Sequence, residues 1–331
     1  MEISATQKKL IKKLANGQFF SGQQLADELG VSRTSIWNYL KSLESIGFQL
    51  HAVKGKGTRL ESPIELLDKS LILEDLIKSQ RGNPVQLDIL DVCSSTNQHL
   101  TEKNNLKSLP DGAICITEMQ TAGRGRLGRT WVSPFGQNVY ASFLWRFKSG
   151  ISALSGLSLA CGVAVCDALK DLGLDGHGLK WPNDILWQGK KLGGILVEIQ
   201  GESQGEYTAI IGIGINYKMN SHSSAAIDQP WADLHNAQQN VPGRNKLIAQ
   251  LIERVLDILD SYEEKGLTPY VDQWNDYDDY RGRKVQIISG SSTQYGVAMG
   301  ISSNGELQLL RSDGETQAVM SGEVSLRLDE N

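Results

Sequence analysis

Residues 123–129 read Gly-Arg-Gly-Arg-Leu-Gly-Arg. The glycines let the main chain approach a ligand, and Arg124, Arg126 and Arg129 interleave guanidinium groups suited to a phosphate or carboxylate. Such a segment is expected to be loose and self-repelling when empty, and to order around an anion. Gly123, Gly125 and Gly128 also satisfy GxGxxG, but their context contradicts the dinucleotide reading. Residues 130–136, TWVSPFG, cannot be the helix that a Rossmann turn must open, and no acid stands about 20 residues onward. A P-loop is excluded because GxxxxGK[ST] does not occur. An arginine-glycine segment touching RNA is the bland alternative; such segments normally recur, and this one stands alone.

Two more clusters follow. In Lys180-Trp181-Pro182-Asn183-Asp184 a turn places Asn183 and Asp184 at the head of a strand, and in residues 190–198 Gly193-Gly194 again admits a ligand near the main chain. Taken singly, Lys191 reads equally as a surface lysine, Asn216 as a strand-end residue and Trp181 as core. There is no Ser–His–Asp or Cys–His signature. The five histidines include no HExxH pair, and Cys93, Cys115, Cys161 and Cys166 form neither a CxxC nor a disulfide framework. Cys161 and Cys166, five apart on a predicted helix, point about 140° away from each other, so no structural zinc site is expected.

The elements that must position these residues alternate along the middle of the chain. Residues 85–92, 113–118, 139–145, 185–187, 195–199 and 208–215 read as strands, and 153–172 and 245–265 as long apolar-faced helices, after a helical connector at 64–79. This predicts a central mixed α/β domain of the α+β class with a largely antiparallel sheet. From Arg281 onward, short strands at 285–288, 295–301, 307–310, 316–320 and 324–326 alternate with tight turns, the pattern of a small SH3-like β-barrel. A chain of 331 residues fits two domains and a small third. The boundaries read as 1–63, 64–275 and 276–331, making a multidomain protein.

The net charge of −5 hides an asymmetry. Residues 1–62 hold nine basic against five acidic side chains, +4, while the remaining 269 hold 24 against 33, −9. Within that basic unit Ser21 caps a short helix, Gly30 supplies a left-handed turn, and Ser32 caps a second helix with Ile36, Leu40 and Leu43 on one face. This is helix-turn-helix spacing, covered by Leu10, Ile11 and Leu14. Arg33, Thr34, Asn38 and Lys41 on the polar face can contact bases and phosphates, and residues 48–59, with Lys54, Lys56 and Arg59, read as a basic wing. A solvated hairpin on an interaction domain is the bland reading of the wing. Trp37 is open between packing and the groove. No run of 18 apolar residues exists and the first residues lack a signal peptide's apolar stretch, so no membrane association and a cytoplasmic location are expected.

Ser95-Thr96-Asn97, GRGRLGR at 123–129, Trp131, SPFG at 133–136, KWPND at 180–184, KLGGILVE at 191–198 and GIGIN at 212–216 together resemble the biotin-protein ligases. With the N-terminal helix-turn-helix and wing, the chain is similar to the bifunctional type that is also the biotin operon repressor. The resemblance implies a ligase that uses ATP and biotin, with Mg²⁺, to form biotinyl-5′-adenylate. Biotin then passes to a lysine of the biotin carboxyl carrier protein of acetyl-CoA carboxylase. It implies biotin-binding roles for Ser95, Thr96, Asn97, Gln120, Arg124, Gly125, Arg126 and Lys191, with Arg126 and Lys191 catalytic. Adenylate-binding roles are implied for Arg126, Arg129, Trp131, Asn183, Asn216 and Trp231, and Asp184 would hold Mg²⁺ indirectly. DNA contacts are expected from Gly22, Ser32, Arg33, Thr34, Asn38, Lys41, Lys54, Lys56 and Arg59, on operator DNA of biotin biosynthesis genes, by an adenylate-bound homodimer. The rival readings are a ligand-sensing transcription regulator with little ligase activity and a lipoate-type ligase.

Overall fold

The computed structural model describes residues 3–78, 86–148, 150, 154–201, 206–322 and 324–329; the expected element ends at Ser79, Val85 and Ala153 lie outside the described residues. The N-terminal unit consists of α1 (Ala5–Leu14), α2 (Gly22–Leu29), α3 (Arg33–Ser45) and the hairpin β1 (Leu50–Val53) and β2 (Gly57–Leu60). Ser4 and Ser21 form capping boxes with Gln7 and Gln24, Gly30 ends α2 in the left-handed region, and the Ser32 hydroxyl accepts the Ser35 amide. Leu10, Ile11, Leu14, Leu25, Ile36 and Leu43 close the core over Phe48 and Leu60. The hairpin lies against residue 20 through the Phe20–Thr58 bridge. Gly57, at φ 106°, is required there, because a Cβ would fall on the Phe20 carbonyl.

The central unit contains α4 (Lys69–Lys78), β3 (Leu87–Cys93), α5 (Thr96–Leu106), β4 (Ala113–Gln120), β5 (Asn138–Phe147), α6 (Leu157–Asp171), β6 (His177–Lys180), β7 (Asp184–Trp187), β8 (Lys190–Gln200) and β9 (Tyr207–Asn216). Short α7 (Ser221–Ser224) and α8 (Leu234–Ala237) lead to α9 (Arg244–Lys265) and α10 (Val271–Tyr277). The strands form one mixed sheet in the order β3-β4-β5-β9-β8-β7-β6, antiparallel except for β3 beside β4. Alternation gives the sheet two faces. Val139, Ala141 and Phe143 of β5 and Ile211, Ile213 and Ile215 of β9 enter the core with α6 and α9. Tyr140, Ser142, Gly212 and Gly214 fall on the opposite face.

The connector departs from expectation. Residues 64–68 carry no regular secondary structure and the helix starts only at Lys69. Distant side chains claim the amides that a helix would use: Leu67 donates to Glu118 at 2.6 Å and Asp68 to Asn245 at 2.8 Å. Glu65 accepts from the Asn245 carboxamide at 2.7 Å. Arg244, fully buried, pairs with Glu118 and donates to the carbonyls of Asn138 and Glu65. Replacing Glu118 by alanine leaves the guanidinium buried and unpaired, which is expected to cost about 3–5 kcal/mol. Urea unfolding measures it, and a loss below about 1 kcal/mol would show that the pair does not hold the connector.

The last five strands, β10 (Lys284–Ser289), β11 (Ser292–Ile301), β12 (Leu307–Leu310), β13 (Thr316–Val319) and β14 (Val324–Leu328), form an antiparallel sheet in the order β13-β12-β11-β10-β14, with no described pairing of β13 to β14. Its Val285, Ile287, Ala298, Leu307 and Leu326 share one core with α6, α9 and α10. The buried Trp181 indole donates to the Gly305 carbonyl at 3.0 Å, fixing this sheet beside the turn after β6. Among the described residues no helix is long and apolar enough to cross a membrane, and no group of three His, Cys, Asp or Glu could hold a metal.

Candidate active site

A cleft of about 770 Å³ opens on the sheet face opposite α6 and α9. Its floor is bare because the glycines of β8 and β9 fall there together: Gly194 pairs with Gly214, and Gly212 lies two residues along. A Cβ at Gly212 would overlap the Asn97 carboxamide, and one at Gly214 would come within 2.7 Å of the Trp131 ring. The isoleucines between them point into the core, so the alternation of GIGIN serves both faces.

At one end of the floor is a polar network. Ser95, buried, heads α5 without using its hydroxyl as a cap. The Gln120 carbonyl oxygen accepts from the Thr96 amide at 2.9 Å, and its amide donates to Ser133 at 3.1 Å. The Ser142 hydroxyl is 2.6 Å from both Thr96 Oγ1 and Asn97 Oδ1, and Asn97 donates to Glu198 at 2.7 Å. The expected Ser95, Thr96, Asn97 and Gln120 are thus brought together. Ser142 and Glu198 had no assigned role; each is flanked by apolar residues within its strand, and its meaning is visible only once its face is known.

The other end is cationic. Lys191 Nζ lies 2.6 Å from Asp184 and 5.6 Å from the centroid of the Trp131 ring. Its backbone is held by Pro230 O at 3.0 Å and by the Ala232 amide at 2.9 Å. Lys180 Nζ, 3.9 Å from Asp184, has its pKa lowered by burial, which outweighs the attraction of Asp184. Arg327 reaches the cleft from β14. Among the described residues the buried Trp131 indole N–H has no partner.

The glycine-arginine segment, expected to order around an anion, has a defined backbone path. It is a closed hairpin: Gly125 donates to Arg129 O at 2.7 Å, Trp131 to Gly123 O at 2.9 Å, and Leu127 turns through φ 56°. Arg124 pairs with Glu198 at 3.1 Å. Arg126 donates to Asn183 Oδ1 at 3.1 Å and to the carbonyls of Ser321 and Gly322 at 3.0 and 2.7 Å. Burial also lowers the Arg126 pKa. Arg129 lines the cleft with an exposed side chain.

Two expected adenine contacts fall outside the cleft lining. Asn216 is buried, and its amide donates to the carbonyls of Ala232 at 3.0 Å and Lys191 at 3.3 Å. Trp231 forms a backbone bridge to Lys191, while its neighbours Gln229 and Pro230 line the cleft. Both support Lys191 through the main chain.

In the N-terminal unit Arg33, Thr34, Asn38 and Lys41 are exposed on α3, and Lys54 and Lys56 on the turn between β1 and β2. Gly22 opens α2, and Ser32 is engaged as a cap. Arg59 is half-buried, with its guanidinium 5.1 Å from the centroid of the Phe19 ring, so its charge is braced on the wing. Phe135, of the SPFG segment, packs against Phe48 with the rings tilted at 42° and 4.8 Å between centroids, and so belongs to the core of this unit although it follows Arg129 by only six residues.

Residues 89–216 match the Biotin/lipoate A/B protein ligase family, residues 6–59 an HTH domain and residues 281–327 the Biotin protein ligase C terminal domain. The chain is 41% identical over 319 residues to the Bifunctional ligase/repressor BirA of Escherichia coli, covering 96% of each chain. It is 33% identical to the protein of the same name in Bacillus subtilis, covering 94% of this chain and 95% of that one. Among solved structures it resembles the biotin protein ligase from Aquifex aeolicus in complex with biotin and ATP, with 28% identity, a TM-score of 0.63, and coverage of 74% of this chain and all of that one.

Proposed function

Because this chain belongs to the biotin-protein ligases, in their bifunctional ligase/repressor form, we propose that it activates biotin with ATP, transfers it to a carrier lysine, and represses transcription when loaded. In the first step a carboxylate oxygen of biotin attacks the α-phosphorus of ATP and pyrophosphate leaves. In the second, the lysine ε-amine attacks the acyl carbon, AMP leaves, an amide forms and a proton is released. The observation that carries this reading is the cleft itself: a glycine floor with a hydrogen-bonding network at one end and lysine and arginine side chains at the other.

Each end suits one part of the chemistry. Ser95, Thr96, Asn97 and Gln120 offer donors and acceptors for the ureido head, and the glycine floor takes the flat apolar body. Carboxylate and α-phosphate repel each other, and Lys191 with Arg124 and Arg126 offsets that repulsion. Arg129, Lys180 and Arg327 extend the positive charge toward the remaining phosphates, with Trp131 and Asn183 beside the nucleotide and Gly125 giving close main-chain approach. Mg²⁺ would enter with the nucleotide and neutralise phosphate charge. Asp184, already facing two ammonium groups, fits indirect contact with it rather than direct ligation. No nucleophilic side chain is required, since the substrates supply both nucleophiles.

The division of labour follows the partition 1–63, 64–275 and 276–331. The last unit, whose five strands we take as an SH3-like barrel, supports ATP and carrier-protein binding. The location is cytoplasmic. Incubation with apo carrier domain, ATP, Mg²⁺ and biotin, followed by a streptavidin blot, tests the ligase; transfer of lipoate with no biotinylated lysine would overturn it. Sedimentation with and without biotin and ATP tests the adenylate-bound homodimer, and an unchanged monomer would sink it. Gel shift on biotin-operon DNA tests repression. A further expectation concerns the floor. Gly212→Ala pushes Asn97 from its hydrogen bonds and should weaken biotin binding about tenfold or more by calorimetry, given the usual cost of overpacking. Unchanged affinity would remove Asn97 from the binding site.

A further inference from the structure

We propose that Trp37 is the thymine reader of the N-terminal unit: its indole contacts the 5-methyl group of one T·A pair in each operator half-site. The inference rests on the reading of residues 1–63 as an operator-binding head. Ile36 and Leu43 direct one side of α3 into the core, and Trp37 is not part of that core. Its side chain is 55% exposed on the polar side of the helix, which it shares with Arg33, Thr34, Asn38 and Lys41. Lys41 Nζ sits 4.1 Å from the ring centroid, so a cation–π contact holds the indole in place before DNA arrives.

An indole at this position, in the second turn of a helix that enters the major groove by its N-terminal half, meets base edges. Among the groups that distinguish the four base pairs there, the thymine 5-methyl group is the one substantial apolar group. Covering the amino group of cytosine or the O6 and N7 atoms of guanine with a ring leaves them dehydrated and unpaired, whereas covering the methyl removes apolar surface from water. Trp37 therefore selects thymine by exclusion as well as by attraction. Lys41, stacked beside it, keeps its charge for the neighbouring phosphate.

The test uses the full chain with biotin, ATP and Mg²⁺ and a library of random-sequence duplexes. The wild-type protein should enrich a two-fold symmetric sequence with a fixed thymine at one place in each half, and Trp37→Ala should enrich the same sequence with that place alone relaxed. Replacing that thymine by deoxyuridine should weaken wild-type binding about fourfold per half-site, the worth of one buried methyl group, and leave Trp37→Ala unaffected. Ligation by Trp37→Ala should match the wild type, which verifies that the variant folds. The same preferences in both proteins, or equal losses on deoxyuridine, would overturn the assignment. Failure of the wild type to enrich any sequence would instead remove the operator-binding reading on which it rests.

Discussion

Lys191→Ala is expected to lower the rate of biotinyl-adenylate formation by about 10²–10³-fold, the usual effect of removing one preorganised group that stabilises developing charge. Lys191 is held from three directions. Its main chain is bonded to residues 230 and 232, its ammonium is 2.6 Å from Asp184, and the Trp131 ring lies alongside. A lysine fixed this way needs no reorganisation when two anions are brought together. The variant keeps both main-chain hydrogen bonds, and Asp184 keeps Lys180 nearby, so the fold should survive. Pyrophosphate release in a single turnover measures the step. Biotin binding without nucleotide should fall much less, because the charge conflict arises only when phosphate is present. A release rate within about threefold of the wild type would show that the arginines alone carry the step.

The parts of this site legible in the sequence are those where chemistry and main-chain freedom coincide in a few residues. GRGRLGR and KWPND are readable because glycine, proline and charge together are unusual in an ordinary turn, and both line the cleft. Ser142, Tyr140 and Glu198 were not, because a polar residue in an apolar strand has no meaning until pairing fixes which face it occupies. Arg327 comes from a separate sheet, and nothing local links it to Lys180. Asn216 reads equally as a strand-end residue or a ligand contact, and its carboxamide donates to two main-chain carbonyls that hold Lys191 and Ala232. The helix α5 escaped notice for a related reason. Its buried positions are Thr96, Asn97 and Leu100, so the apolar stripe that marks a helix is nearly missing. The non-helical connector at 64–68 depends on Glu118 and Asn245, far away in sequence, and local propensity cannot report such partners.

Arg126→Gly should slow adenylate formation less than Lys191→Ala does, because Lys191 and Arg124 remain, and should release the product about 10- to 100-fold faster, the worth of a hydrogen bond made by a charged group. The side chain spans three elements: its own hairpin, Asn183 of the turn before β7, and the Ser321–Gly322 carbonyls between β13 and β14. Glycine removes all of these contacts together with the charge, so the hairpin loses its tie to both walls of the cleft. Lysine is a weaker repair than it looks, because one ammonium cannot reproduce a planar fork reaching two walls. A mixed anhydride that escapes acylates any accessible amine, so the variant should biotinylate an unrelated lysine-rich protein in the same tube, where the wild type labels the carrier alone. The two cations are thereby separable. Lys191→Ala fails to make the adenylate, whereas Arg126→Gly makes it and loses it, and a filter assay of bound adenylate over time distinguishes them. If Arg126→Gly labels only the carrier lysine and holds its adenylate as long as the wild type, the hairpin is held shut by Arg124 and Glu198, and Arg126 is not the latch.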